Sequence, residues 1–183
     1  MKIEQIYTSC IAEAAYYIES NGEVAIIDPL RDPAPYLERA KKDGAKIKYI
    51  FETHFHADFV SGHLDLSKAT GAPIIYGPSA TAGFDIHVGK DGEDFKLGNI
   101  TLRLIHTPGH TAGSICIKFE EYLISGDTLF QQSIGRVDLP SGSMKAMEQS
   151  INLLKKMDEK LIVYPGHGPK TTIKNEMENN PYF

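Results

Sequence analysis

The chain has 183 residues, of which 42% are hydrophobic and 23% are charged, and its formal net charge is −5. This composition favours one packed domain over residues 1–183 and argues against disorder and, since no basic run is present, against a nucleic-acid partner. No segment approaches the ~20 apolar residues of a membrane helix, so no membrane partner is expected. Cys10 and Cys116 form no CxxC motif, and no apolar leader is present. Both observations favour a location in the reducing cytoplasm. The sequence leaves open whether the protein forms a homodimer.

The first half of the chain is predicted to alternate short apolar strands with helices. The predicted strands cover residues 14–18, 24–28, 47–51 and 73–76. The predicted helices cover residues 34–43 and 64–70. Asp32 is predicted to cap the first helix, with Pro33 at its first position, and Gly44 and Gly71 are predicted to end the two helices.

The second half continues in the same way, with strands and helices interspersed. The predicted strands cover residues 96–97, 100–105, 115–119, 123–125 and 161–164, the first two joined by a turn at 98–99. The predicted helices cover residues 145–157 and 171–179. Met144, Met147, Ile151 and Leu154 recur at helical spacing and are predicted to fill the core. These elements predict a mixed α and β class with two sheets.

Polar residues gather where four of the predicted apolar strands end. The segments are THFHAD after Ile50, HTPGHT after Ile105, SGDT after Ile124 and YPGHG after Val163. Loops at strand ends are where sites are built, since a rigid sheet positions them. Histidine and carboxylate groups are ligands of Zn²⁺ and of non-haem iron. The metal-ligand candidates are His54, His56, Asp58, His110, Asp127 and His167.

Single histidines are more often structural than functional, and His63, His87 and His106 are given structural roles. The six candidates differ because they fall at four successive strand ends. His54 and His56 alternate along an extended segment, so both side chains point to one side. An aspartate after Gly126, beside a core, is costly to leave unpaired, which makes a cation the natural partner of Asp127.

The motifs HxHxD, PGHT, SGD and PGHG, at these intervals, resemble the metallo-β-lactamase fold superfamily over nearly the whole chain. The resemblance implies an α+β fold, a four-layer αββα sandwich with the site along one edge of its two sheets. IIDPLRD and ETHFHADFVSGH resemble persulfide dioxygenases. SGDTLFQQSIGRVDLPSGS and VYPGHGPKTTI resemble small glyoxalase II-type thioester hydrolases.

The two branches imply different ligand sets. The hydrolase pattern implies a first metal on His54, His56, His110 and Asp127. It implies a second metal on Asp58, the residue after it, Asp127 and His167. This chain departs from that pattern, because Phe59 stands where HxHxDH has a histidine, and a phenyl ring cannot ligate. The dioxygenase pattern implies a single iron on His54, His110 and Asp127, so one Fe²⁺ per chain is the leading expectation and Zn²⁺ the alternative.

Three interpretations of function follow. The leading one is oxidation of a small thiol persulfide by O₂, with His56 and Asp58 orienting ligands or handling protons. The alternative is hydrolysis of a thioester by a metal-activated water that Asp58 positions or deprotonates; a hydrolase that tolerates a weaker second metal stays open. A non-enzymatic metal-binding module is the third. Arg136 is predicted either to grip a substrate carboxylate or to hold its loop by bonding backbone carbonyls.

Overall fold

The computed structural model describes residues 1–8 and 13–183. Its first sheet has six strands in the order of the sequence. They are β1 Lys2–Thr8, β2 Glu13–Ser20, β3 Glu23–Ile27, β4 Lys46–Phe51, β5 Ile74–Tyr76 and β6 His87–Val88. The strands β1 to β3 pair antiparallel, whereas β3 to β6 pair parallel. Helices make the crossovers from β3 to β4 and from β4 to β5, and a loop connects β5 to β6.

The second sheet also has six strands, in the order β14-β13-β10-β9-β8-β7. They are β7 Asp94–Leu97, β8 Ile100–His106, β9 Ile115–Phe119, β10 Tyr122–Gly126, β13 Ile162–Pro165 and β14 Thr171–Thr172. The strands β7 to β10 form an antiparallel meander, and β13 pairs parallel with β10. A small hairpin lies apart, formed by β11 Leu129–Phe130 and β12 Ser133–Ile134.

Within the described residues, four helices cover the outer faces of the two sheets. They are α1 Ala34–Asp43, α2 His63–Thr70, α3 Met144–Leu154 and α4 Ile173–Asn179. Tyr16 and Ile18 of β2 face the cluster between the sheets, and Ala15 and Tyr17 face the cluster beneath α1 and α2. A third cluster packs α3 and α4 against the second sheet. These three apolar layers confirm the predicted four-layer αββα sandwich.

Most predicted elements are present, with differences at their ends. α1 has the predicted bounds, but Pro33 is its N-cap and Asp32 Oδ1 instead accepts a hydrogen bond from Ala34 N at 3.0 Å. α3 starts at Met144, where the Ser143 hydroxyl accepts from Ala146 N, and ends at Leu154, earlier than predicted. The strands β1, β6 and β14 and the β11–β12 hairpin were not predicted, and α4 starts at Ile173 rather than at the predicted residue 171.

Two further expectations concern the cysteines and the absence of a membrane helix. Cys116 is buried with a free thiol, and burial raises its pKa to about 11. Cys10 lies outside the described residues. The longest helix in the described part of the chain has 11 residues, and none there has the length and apolarity needed to cross a bilayer.

Candidate metal centre

All six predicted ligand residues lie at one edge of the sandwich. His54 and Asp58 follow β4, His110 follows β8, Asp127 follows β10, and His167 follows β13. The two sheets are joined at this edge, since Ile115 N, at the start of β9, donates to Thr53 O at 2.9 Å. The sequence therefore predicts the location of the residues well, but their side chains divide into three separate clusters.

The first cluster consists of His54, His110 and Asp127, whose ligand atoms all lie within 4.8 Å of one another. The two imidazole rings are nearly perpendicular, with centroids 4.7 Å apart. His110 Nε2 lies 3.8 Å from Asp127 Oδ2. Two histidines and one carboxylate on one side of an ion form a set that leaves further coordination positions open.

Hydrogen bonds fix which nitrogen of each histidine is available to a metal. Thr53 Oγ1 donates to Asp28 Oδ2 at 2.8 Å, so it accepts from His54 Nδ1 at 3.0 Å. His110 Nδ1 donates to the carbonyl oxygen of Arg136 at 2.8 Å. In both rings Nε2 then keeps its lone pair for the ion. Burial, and then the charge of His56, holds the pKa of His54 well below its usual value, which favours this neutral form.

The Asp127 carboxylate is buried in a cradle that only glycine permits. A Cβ on Gly166, in the PGHG motif, would lie 2.3 Å from Asp127 Oδ1. That oxygen accepts no hydrogen bond from the described residues. Burial would raise the pKa of Asp127, but its bond to His167 and the charge of His54 lower it. A buried anionic oxygen without a donor fits a bound cation.

His56 belongs to a different cluster, which we call the Asp28 cluster: Asp28, Glu52 and His56. Its Nε2 lies 3.0 Å from Asp28 Oδ1 and 3.1 Å from Glu52 Oε2. Burial would lower the pKa of His56, but the charges and hydrogen bonds of the two carboxylates raise it well above its usual value. Only Nδ1 remains for a metal, and it has no hydrogen-bond partner among the described residues. The assignment of His56 as a ligand or catalytic group stays a prediction.

Asp58 and His167 belong to the Glu13 cluster: Glu13, Asp58 and His167. His167 Nε2 lies 3.3 Å from Glu13 Oε2 and 3.5 Å from Asp58 Oδ2. The same nitrogen lies 3.4 Å from Asp127 Oδ2, so this cluster adjoins the first one. Glu13 is fully buried, whereas the Asp58 side chain is 44% exposed. Burial, and then the negative charge of Asp28, raises the pKa of Glu13 to about 8.

Arg136 lies at the rim of the cavity into which the first cluster opens, about 520 Å³ in volume. Its guanidinium donates two hydrogen bonds to the Asp138 carboxylate, at 2.7 and 2.8 Å, rather than to backbone carbonyls. The loop is held instead by the Arg136 carbonyl, through His110 Nδ1. Because both partners are exposed, their bond is weak, and a substrate carboxylate could compete for the guanidinium. That role for Arg136 stays a prediction.

The other three histidines have structural contacts. His63 begins α2, with Nδ1 3.2 Å from Glu52 Oε1, and His87 lies 2.7 Å from Glu93. His106 Nε2 lies 2.9 Å from the Ala112 carbonyl oxygen. Phe59 packs against the ring of His56, with centroids 4.3 Å apart, so it forms an apolar wall on the Asp28 cluster.

Four residues that the sequence analysis did not single out take part in the site: Glu13, Asp28, Glu52 and Thr53. Asp28 and Glu52 each follow an apolar strand directly. The criterion that identified Asp127, a polar residue at the end of an apolar strand, would therefore have identified them as well. Glu13 gives no such signal, because it stands at the start of β2. Its backbone pairs with His167 across the two sheets, and this contact is visible only in the fold.

We expect Thr53→Val to weaken metal binding 10- to 100-fold, the usual loss when an outer partner of a metal-bound histidine is removed. Valine matches threonine in shape, but it can neither accept from His54 Nδ1 nor donate to Asp28. Thr53→Ser keeps the hydroxyl and is the matched control. Both are compared with the unmutated chain by chelator competition. Equal affinities for Thr53→Val and the unmutated chain would rule out this role.

Comparisons with known proteins show similarity over most of the chain. The sequence pattern of the metallo-beta-lactamase superfamily matches residues 10–167. A hydroxyacylglutathione hydrolase of Rhizobium etli is 39% identical over 153 residues, which cover 80% of this chain and 57% of that protein. The crystal structure of ETHE1 from Myxococcus xanthus has a TM-score of 0.92 at 25% identity, covering 99% of this chain and 84% of that one. TTHA1623 in a di-iron-bound form has a TM-score of 0.85 at 26% identity, covering 98% and 100%.

Proposed function

Because this chain belongs to the metallo-β-lactamase superfamily, we propose that it is a metal-dependent enzyme acting on a small sulfur compound, namely a persulfide dioxygenase with one Fe(II) per chain. The reaction is R–S–SH + O₂ + H₂O → R–SH + SO₃²⁻ + 2H⁺. The terminal sulfur is oxidised to sulfite, O₂ is reduced, and the S–S bond breaks to leave the thiol. The similarities to ETHE1 and to hydroxyacylglutathione hydrolases, at modest identity, fit both this reaction and the hydrolytic alternative below.

The observation that carries the proposal is the composition of the first cluster. His54 and His110 have their Nδ1 atoms tied to protein groups, so both Nε2 atoms are available on the same side as Asp127. Two histidines and one carboxylate are the ligands of non-haem Fe(II) oxygenases. A bound iron would supply one-electron chemistry with O₂, which zinc cannot.

The chain's own residues would bind and orient the substrate. Ala57, Phe130 and Leu139 line the cavity beside the first cluster, and their apolar surfaces suit the carbon and sulfur atoms of a small persulfide. Asp58 reaches the same cavity and is exposed enough to exchange protons with water. Arg136, at the rim, is placed to meet a carboxylate on the carrier thiol.

Hydrolysis of a thioester is the second candidate, and one observation favours it. The Glu13 cluster adjoins the first cluster through Asp127, as a second metal would require. Asp58 would then position or deprotonate the attacking water. The sequence similarity to hydroxyacylglutathione hydrolases supports this candidate, although the chain spans only 57% of the Rhizobium etli protein.

The deciding experiment starts from protein purified without oxygen, with iron and zinc measured before assay. The dioxygenase proposal predicts iron in the protein, O₂ uptake with glutathione persulfide, and equal amounts of sulfite formed and O₂ consumed. Zinc-reconstituted protein is the matched control, since it keeps the ligands but loses the redox chemistry. Thiol release from S-lactoylglutathione by both metal forms, with no O₂ uptake on the persulfide, would overturn the proposal in favour of the hydrolase.

A further inference from the structure

We propose that the Glu13 cluster is a second divalent-cation site, which shares the Asp127 carboxylate with the first cluster and in which Glu13 replaces the histidine missing at position 59. This inference goes beyond the proposed function, because it concerns cation binding and holds whichever reaction the enzyme catalyses. The sequence motif alone leaves this second site one ligand short at Phe59. The fold brings in a ligand from another part of the chain.

Glu13 has the properties of a ligand rather than of a structural carboxylate. It is fully buried, and neither of its side-chain oxygens accepts a hydrogen bond from the described residues. A buried carboxylate with no donor costs several kcal/mol, so such groups are paired with charges or bind metals. Its position is fixed by the backbone, because Ala14 N donates to Gly166 O at 3.0 Å and Glu13 pairs with His167.

The three distances that start at His167 Nε2 match those between ligands of one ion, and Glu13, Asp58 and His167 offer ligand atoms within 4.8 Å of one another. Two donors each about 2.1 Å from a tetrahedral cation lie about 3.4 Å apart. His167 Nε2 lies 3.3 Å from Glu13 Oε2, 3.5 Å from Asp58 Oδ2 and 3.4 Å from Asp127 Oδ2. Three carboxylate oxygens therefore surround one imidazole nitrogen at the spacing expected of a shared ion.

The donor set also indicates which cations the site accepts. Three carboxylates and one imidazole form a harder and more anionic set than the two histidines and one carboxylate of the first cluster. Mn²⁺ suits such oxygen-rich sites, and it binds a given site more weakly than Fe²⁺ in the divalent series. Mn²⁺ therefore reports on the second site without displacing iron from the first.

The test is a titration of the iron-loaded protein with Mn²⁺ under anaerobic conditions, in which the EPR signal of free Mn²⁺ is followed. We expect the unmutated chain to bind one Mn²⁺ beyond its iron. We expect Glu13→Gln to bind this Mn²⁺ about a hundredfold more weakly. Removing a residue that only contacts a metal ligand lowers metal affinity by up to about a hundredfold, and the loss of a direct ligand should be at least at that upper end. Glu148→Gln is the matched control, because it removes the same negative charge at an exposed position on α3. Its Mn²⁺ affinity should equal that of the unmutated chain. Iron content should be equal in all three proteins.

A second readout separates a ligand from a structural residue. In metal-free protein, Glu13→Gln should melt at or above the temperature of the unmutated chain, because neither side-chain oxygen of Glu13 accepts a hydrogen bond from the described residues that glutamine would lose. Mn²⁺ should raise the melting temperature of the unmutated chain and of Glu148→Gln, but not that of Glu13→Gln. Asp58→Asn, at a partly exposed position, provides a second ligand variant with little risk to folding, and it should weaken Mn²⁺ binding as well.

Three results would overturn the inference: no Mn²⁺ bound beyond iron by the unmutated chain at millimolar concentration, equal Mn²⁺ affinity in Glu13→Gln, or a lower melting temperature of metal-free Glu13→Gln. None of these measurements uses a persulfide, a thioester or O₂. A failure of the second site is therefore distinguishable from a failure of the proposed reaction.

Discussion

Asp127→Asn is expected to weaken iron binding at least about a hundredfold and to abolish turnover. Structural zinc sites bind with apparent free energies of roughly 10–16 kcal/mol over about four ligands, or about 3 kcal/mol for each. That loss corresponds to about a hundredfold in affinity. Asp127 contributes more than an average ligand, because it is the one carboxylate of the first cluster and also contacts His167. The measurement is iron content after dialysis, followed by chelator competition.

Asparagine has nearly the same size and shape as aspartate, so it fits the space beside Gly166 and the fold should be retained. Asp65→Asn, an exposed aspartate on α2, is the matched control and should bind iron like the unmutated chain. His54→Ala and His110→Ala are expected to lose metal and activity in the same way. Full iron content in any of these three variants would show that its residue is not a ligand.

The positions of the candidate metal ligands are the part of the site that the sequence predicts best. Each of His54, His110, Asp127 and His167 follows an apolar strand, and strand ends that meet at one edge of a sandwich bring their loops together. The orientation of each ring could not be predicted, because it depends on hydrogen bonds to residues far along the chain. His56 is the example: its alternation with His54 suggested a shared cation, but Asp28 and Glu52 hold its Nε2.

The fold shows the same division between local and long-range information. Helix α1 was predicted with its observed bounds, because proline at its start and Gly44 at its end are local signals. The strand β6 and the strands of the β11–β12 hairpin have two residues each. Two residues are too few to show the alternation of apolar and polar side chains by which a strand is predicted. Such strands exist because a neighbouring strand offers hydrogen bonds, and that neighbour is known only from the fold.

Asp28→Ala is expected to lower the free energy of unfolding of the metal-free protein by about 3 kcal/mol, as for other buried ion pairs that lose one partner. Asp28 is 1% exposed, and its carboxylate accepts from Thr53 N at 2.7 Å and Thr53 Oγ1 at 2.8 Å. The same carboxylate lies 3.0 Å from His56 Nε2, whose raised pKa reflects this contact. Removing it leaves a buried imidazolium with Glu52 as its remaining charged partner.

Denaturant unfolding of metal-free protein measures this effect apart from any change in metal affinity. Asp28→Asn separates charge from shape: asparagine tolerates the backbone angle of this residue, φ 50°, and its one side-chain oxygen can still accept one of the two bonds from Thr53, which go to different oxygens of Asp28. It should therefore be destabilising by less than Asp28→Ala. Asp94→Asn, at an exposed pair with Arg103, should leave stability unchanged within error. If Asp28→Ala were as mild as Asp94→Asn, the Asp28 cluster would contribute nothing to stability, and its carboxylates would serve only to orient the histidines of the metal centre.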